Sequence, residues 1–400
     1  MTVRPEMRAV ILLAACQGLF QTGSVLIVTA SGLAGHLLAA DKSLATLPIS
    51  FMLVGTMSTM IPGSLLMGRY GRRAGFWIGT LGGVASGTLA VVSLMNGWFW
   101  MFCVAHIFHG VYQGFAQFYR FAAAEAVSPA FRSRAISYVL TGPIVAAVAG
   151  PYLVAYTKDF AASGAFVATY ACLIVLSLAA TALVTFINVP PPAGDKDAEP
   201  ARPLVEIARQ PAFIVALACA AIAYGVMNLA MSATPLAMAG HHHGIHDTAF
   251  VIQWHVLGMF VPSFFSGALI ARYGAPQIML IGVGLLLCHV AIALSGNELL
   301  HYLSALTLLG VGWNFAYIGG TTLLTETYRP SERAKVQGVN DFTVFFTVMV
   351  SSFASGALLH GIGWSGVNVV ALPFLAAAGI LLALYLYRGR EPEAPAARGA

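Results

Sequence analysis

Charge is what this chain lacks. Only 9% of its 400 residues are Asp, Glu, Lys or Arg, against about 25% in soluble domains. With 58% apolar residues and a mean hydropathy of +0.81, it reads neither as a soluble globular protein nor as a disordered one. The five cysteines (Cys16, Cys103, Cys172, Cys219 and Cys288) are scattered through apolar stretches. No CxxC and no regular spacing links them, which argues against a disulfide framework or a cysteine-based zinc site. There is also no nucleophile–base pair, phosphate loop or HExxH motif, so enzyme chemistry is not expected. Acidic residues are scarcer than basic ones, 15 against 20, giving a net charge of +5. Such a balance can mark a nucleic-acid partner, but the position of the charges gives it another meaning.

What the chain has is long apolar runs. Twelve transmembrane helices are predicted, at about 8–33, 46–68, 75–95, 98–124, 135–157, 163–189, 212–238, 248–271, 276–295, 301–325, 338–360 and 366–387. The first run shows no cleavage pattern and reads as a retained helix. If the N-terminus lies inside, 17 of the 20 lysines and arginines fall on the cytoplasmic side. The exceptions are Lys42 and Lys158 in outer loops and Arg120 near the inner end of the fourth helix. This is the positive-inside rule. It accounts for the basic balance without nucleic acid and predicts a multi-pass membrane protein, its partner the lipid bilayer, with both termini cytoplasmic.

A polar, proline-rich stretch from Pro190 to Pro200 interrupts the pattern. It predicts a six-helix bundle over 1–190, a cytoplasmic linker over 191–210, and a second six-helix bundle with a cytoplasmic tail over 211–400. The halves echo each other. Arg69-Tyr70-Gly71 after helix two recurs as Arg272-Tyr273-Gly274 after helix eight. Glu125-x-x-x-Pro129 with Arg134-Ala135 recurs as Glu326-x-x-x-Pro330 with Arg333-Ala334. Repeated halves in a helical membrane protein mark a secondary transporter whose substrate site lies between them near the midplane. The expected fold class is therefore an all-α membrane protein, with twelve transmembrane helices in two pseudo-symmetric six-helix bundles.

Over its whole length the sequence resembles the major facilitator superfamily. That family's loop after helix two usually reads Gly-x-Leu-Ala-Asp-Arg-x-Gly-Arg-Arg. This chain matches at Leu66, Arg69, Gly71, Arg72 and Arg73, and departs at Ser64 and Gly68, where glycine and aspartate are usual. Intramembrane polar residues are candidates for function. Glu125 lies at an inner helix end, where it is expected to pair with arginines. Asp341, opening helix eleven, is the best placed carboxylate for proton coupling or gating, with Arg120 and Glu125 as further candidates.

Helix seven carries Met227-x-x-x-Met231 and helix eight His255-x-x-x-Met259. Residues four apart share a helix face. Counted from the connecting loop, Met231 matches His255 in depth and Met227 matches Met259. Three thioethers and an imidazole at matching depths form a soft ligand set suited to Cu(I). The loop reads His241-His242-His243-Gly244-Ile245-His246. Such tracts bind metal, so these four histidines could collect incoming ions. On these residues the chain resembles the CcoA-like copper importers of bacterial inner membranes. The resemblance implies that Met227, Met231, His255 and Met259 bind copper as transported substrate rather than as cofactor. It further implies copper import that feeds cbb3-type cytochrome oxidase assembly, with cytoplasmic or periplasmic copper chaperones as possible partners. Relatives without these motifs include riboflavin importers, and riboflavin is the alternative; its rings could stack on Trp254 and hydrogen-bond to Asn314. A drug exporter is a further alternative. So is a non-transporting copper sensor or assembly factor, which the repeated halves argue against.

Overall fold

In hydrocarbon a backbone amide finds no water, so a spanning segment must satisfy its own hydrogen bonds. The computed structural model, described here for residues 5–41, 44, 47–161, 164–187 and 201–388, does this with helices alone among the described residues. In chain order they are α1 (Pro5–Leu38), α2 (Leu47–Tyr70), α3 (Arg72–Asn96), α4 (Phe99–Ala116), α5 (Tyr119–Glu125), α6 (Arg132–Val139), α7 (Pro143–Thr157), α8 (Val167–Thr185), α9 (Leu204–Ala208), α10 (Pro211–Gly240), α11 (Ile245–Phe260), α12 (Ser263–Tyr273), α13 (Ala275–Ser295), α14 (Leu299–Leu324) and α15 (Arg333–Arg388).

Ten described stretches are long and apolar enough to cross a membrane. One of them, α15, has 56 residues, about 84 Å at 1.5 Å per residue against a hydrocarbon core of about 30 Å. Gly363, at φ 69° and ψ −178°, divides it into two spans. The α4–α5 pair supplies a further one. The breaks within spans have local causes. Pro143 and Pro262 lack an N–H and clash with the carbonyl four residues back, and α7 and α12 start at or just after them. Gly71 and Gly274 make equivalent turns at φ 88° and 90°, a conformation that costs glycine least. They are the glycines of the repeated Arg-Tyr-Gly.

The helices sort into two compact units. The first holds Met1–Ala201 with Arg329–Phe346, and the second holds Arg202–Tyr328 with Thr347–Ala400. In the first, α4 packs on α2 and α3, while α1 packs on α7 and α8. In the second, α14 lies against α10, α11 and α13. Small residues bring these backbones together. A Cβ on Gly110 would stand 2.0 Å from the Met52 carbonyl oxygen, and one on Gly55 2.2 Å from that of Ile107. The crossing recurs in the second unit, where a Cβ on Gly310 would stand 2.5 Å from the His255 oxygen and one on Gly258 2.7 Å from that of Thr307. The repeat seen in the loops is thus a repeat of packing. Large apolar side chains such as Leu33, Val175, Leu300 and Phe353 point outward, as expected where the solvent is lipid.

These contacts set a prediction. Gly110→Val places a branched side chain against backbone that cannot yield, and overpacking of this kind costs roughly 1–3 kcal/mol. Its thermal midpoint in detergent should fall well below that of Gly32→Ala, whose added methyl meets nothing within 4 Å. Equal midpoints would show that the α2–α4 crossing tolerates bulk.

Candidate functional site

Three groups of side chains stand out inside the units. The first lies at the arginine-rich end of the first unit. Arg72, the first residue of α3, is buried there and clasps Glu125 through Nε at 3.0 Å and Nη2 at 2.5 Å. Arg333 reaches the same carboxylate at 3.1 Å, and Gln337 donates to it at 3.2 Å while accepting from Arg72. Of the other signature-loop residues, Arg73 donates to the Ile187 carbonyl at 2.9 and 2.7 Å, Gly71 makes the turn, and Arg69 lies over the Tyr70 ring. At position 68 the glycine allows close packing, since a Cβ there would sit 2.8 Å from that of Ala334. The neighbouring Ser64 donates to the Ala334 carbonyl at 2.7 Å. The charge network therefore forms on Glu125, without the aspartate usual in the family.

Deeper in the same unit Arg120 pairs with Asp341. Both are buried. Asn340 donates to the same carboxylate oxygen at 2.9 Å, and Arg120 also binds the Gln117 carbonyl at 3.0 Å. The carboxylate and the cation named from sequence as coupling candidates are thus brought together as one buried ion pair.

The second group is the methionine–histidine set, all in the second unit. Met227 and Met259 are buried, Met231 is half-buried, and His255 is fully buried. Both α10 and α11 pack along α14. His255 Nδ1 lies 2.8 Å from the Leu306 carbonyl on α14. A carbonyl only accepts, so Nδ1 carries the hydrogen and Nε2 keeps a free lone pair. That nitrogen has no hydrogen-bond partner among the described residues. In the loop above, His241 contacts the Tyr302 hydroxyl at 2.7 Å, and His243 donates to the Asn297 carbonyl at 2.7 Å. His242 and His246 are exposed. Among the described residues no three His, Cys, Asp or Glu side chains converge.

The third group was not read from the sequence. Trp313 and Tyr317 on α14 stack at 4.9 Å and 17°, Tyr224 on α10 meets both edge-on at 5.2 Å, and Phe260 on α11 meets Trp313 at 5.9 Å. Trp254 is 44% exposed, beside Phe250, whereas Trp313 is buried. Asn314 already donates to the Met259 carbonyl at 2.7 Å and to Ser263 at 2.6 Å, which leaves its Oδ1 free. Sequence reading also passed over His106, His109 and His289, all fully buried. Their signal was a polar residue inside an apolar run.

The Major Facilitator Superfamily model matches residues 10–236 and 216–400. The riboflavin transporter RfnT of Brucella anthropi is 38% identical over 390 residues, covering 97% of this chain and 98% of that protein. YdeG of Bacillus subtilis, an uncharacterised transporter of the superfamily, is 30% identical over 90% of this chain and 86% of its own length. The chain also resembles the solved FucP transporter in its outward conformation, with a TM-score of 0.80 at 15% identity over 95% and 99% of the two chains. A bacterial homologue of ferroportin gives a TM-score of 0.75 at 12% identity over 96% and 100%. The RfnT likeness backs the flavin alternative and gives no support to the copper cargo expected from the four-residue motif.

The buried ion pair generates a prediction. Asp341→Asn would leave the Arg120 guanidinium buried without its counter-ion, a loss of about 3–5 kcal/mol. Its thermal midpoint should drop sharply, and joint replacement of Arg120 and Asp341 by leucine should recover part of the loss. Unchanged stability in the single variant would mean that water reaches the pair.

Proposed function

Since this chain belongs to the major facilitator superfamily, we propose that it is a secondary transporter that brings riboflavin, or a closely related flavin, into the cell across the bacterial cytoplasmic membrane. The observation that carries this reading is the similarity to the riboflavin transporter RfnT over practically the full length of both chains. The aromatic group of the second unit supports it. A flavin is a large planar ring system, and Tyr224, half-buried beside the stacked Trp313 and Tyr317, offers a ring able to receive one. Offset or edge-on ring contacts contribute roughly 0.5–1.5 kcal/mol beyond simple burial. Asn314 Oδ1, free of partners among the described residues, adds an acceptor one residue from Trp313. The arginine-rich helix ends support a cytoplasmic location for both termini through the positive-inside rule.

Copper import is the second reading, and one observation favours it. A histidine that ligates metal usually donates its other ring N–H to a carbonyl or carboxylate. His255 has that arrangement, with Nδ1 held by Leu306 and Nε2 bare. Met259 shares its helix face, and Met227 and Met231 stand on α10.

Uptake separates the two. Expression in a riboflavin-requiring strain should restore growth on low riboflavin. Tyr224→Ala should reduce radiolabelled riboflavin uptake about tenfold, and Tyr224→Phe should keep most of it. Met227→Ile and His255→Ala should leave riboflavin uptake near normal. Failure to rescue growth, together with a rise in cell copper that either of those two substitutions abolishes, would establish copper as the cargo.

A further inference from the structure

Inside the first unit, two histidines of α4 meet two serines of α1. His109 Nε2 is 3.0 Å from Ser24 Oγ, and its ring stacks on Phe20 at 5.8 Å and 16°. One turn away, His106 Nε2 is 2.7 Å from Ser31 Oγ and 3.3 Å from the Tyr170 hydroxyl of α8. All five polar side chains are buried.

Counting hydrogens around His106 gives a definite result. Nδ1 lies 2.7 Å from the Phe102 carbonyl, which can only accept, so Nδ1 carries a hydrogen. Ser31 Oγ lies 2.6 Å from the Ile27 carbonyl and 2.7 Å from His106 Nε2, and its single hydrogen serves one of the two. Tyr170 lies 3.0 Å from Ser31 Oγ and supplies one hydrogen. While the ring is neutral, either the Ser31 contact to Ile27 or that to His106 is left without a hydrogen. Three hydrogens serve the four contacts of 3.0 Å or less. A proton on Nε2 gives each of these four one hydrogen: Nδ1–H to Phe102, Nε2–H to Ser31, Ser31 to Ile27 and Tyr170 to Ser31.

Among the described residues, no counter-charge stands on the helices packed around His106 at this level. On α1 the titratable groups are Glu6 and Arg8 at one end, His36 at the other, and Cys16 between. On α2 they are Arg69 and Tyr70, and on α3 Arg72 and Arg73, all at the arginine-rich end. On α8 they are Tyr170 and Cys172, and on α4 itself Cys103 and Tyr112. Tyr119, Arg120 and the Asp341 paired with it begin with α5, ten residues or more along the span. A proton taken up here adds a net charge to the apolar interior. Such a charge is expensive, and any state that gives it water or a partner gains population. His106 lies seven residues into α4, about 10 Å from the helix start.

We propose that this serine–histidine stripe is the binding site for a driving proton, which is held on Nε2 of His106 and shared with Ser31 and Tyr170. Loading forms one N–H bond from the Nε2 lone pair, release returns that proton to water, and no other bond changes. The inference rests on secondary transport and not on flavin as the cargo.

Two measurements test it. The first needs no cargo: hydrogen exchange of the protein in lipid nanodiscs at pH 5.5 and pH 8, corrected for the intrinsic pH dependence of amide exchange. Wild type should show at least threefold changes in protection at the ends of α1 and α4, His106→Gln should show the same pattern at both pH values, and His109→Gln should keep the wild-type response. An unresponsive wild type, a responsive His106→Gln, or loss confined to His109→Gln would overturn the assignment. If His106→Gln does not fold, Ser31→Ala decides. Removing the hydroxyl should move the midpoint of the response by at least half a pH unit, and an unmoved midpoint rejects the site. The second uses radiolabelled riboflavin in proteoliposomes. His106→Gln should lose at least tenfold of the accumulation driven by an inward proton gradient but retain counterflow; retained accumulation counts against the site. If wild type shows no riboflavin counterflow, the flavin reading fails, and the exchange experiment alone decides the proton site.

Discussion

An amide in hydrocarbon has no partner except its own helix, and the rest of this structure follows from that constraint. Every described span is helical, and three of the interruptions coincide with a residue that cannot or need not continue the ladder: Pro143, Pro262 and Gly363. Once the backbone is satisfied internally, helices associate by close packing, because lipid is as apolar as leucine. Gly55 with Gly110 and Gly258 with Gly310 provide that contact at equivalent crossings in the two units. They hold α2 to α4 and α11 to α14 at the depth where each unit's polar groups are displayed.

Against that background each polar side chain inside a span carries a large penalty unless it is matched. The first unit matches charge with charge at its arginine-rich end, where Arg72 and Arg333 share Glu125 and Arg120 meets Asp341. Higher in the same unit it matches hydroxyls with imidazoles around His106 and His109. The second unit matches few charges and instead gathers rings: Tyr224, Trp313, Tyr317 and Phe260. The buried polar groups of the two units thus differ in kind: ion pairs and serine–histidine contacts in the first, a ring cluster with His255 and His289 in the second.

His255 shows how one residue can suit two readings. Its Nδ1 fastens α11 to α14 through the Leu306 carbonyl, a packing role that any intramembrane histidine could fill. The same bond fixes the tautomer and bares Nε2, the arrangement of a metal ligand. Its position one residue from Gln253-Trp254 and four from Met259 says nothing about which role it has, because the deciding information is the direction in which Nε2 points and what arrives there.

The amino-acid sequence by itself determined the solvent, the number of spans, the repeat and the family, since hydrophobic length, arginine placement and loop motifs are local properties that survive without a fold. It also singled out Glu125, Arg120 and Asp341, because an isolated charge in an apolar run is conspicuous. Tertiary structure decided which charges pair. Arg120 and Asp341 are 221 residues apart, and no periodicity encodes such a contact. It buried Trp313 and left Trp254 exposed, because the face a helix presents depends on its neighbours, and α14 packs against α10, α11 and α13. It also revealed the hydrogen count at His106, where four short contacts come from α1, α4 and α8. Hydrogen bonds are satisfied in three dimensions, by partners that the sequence around a histidine does not name.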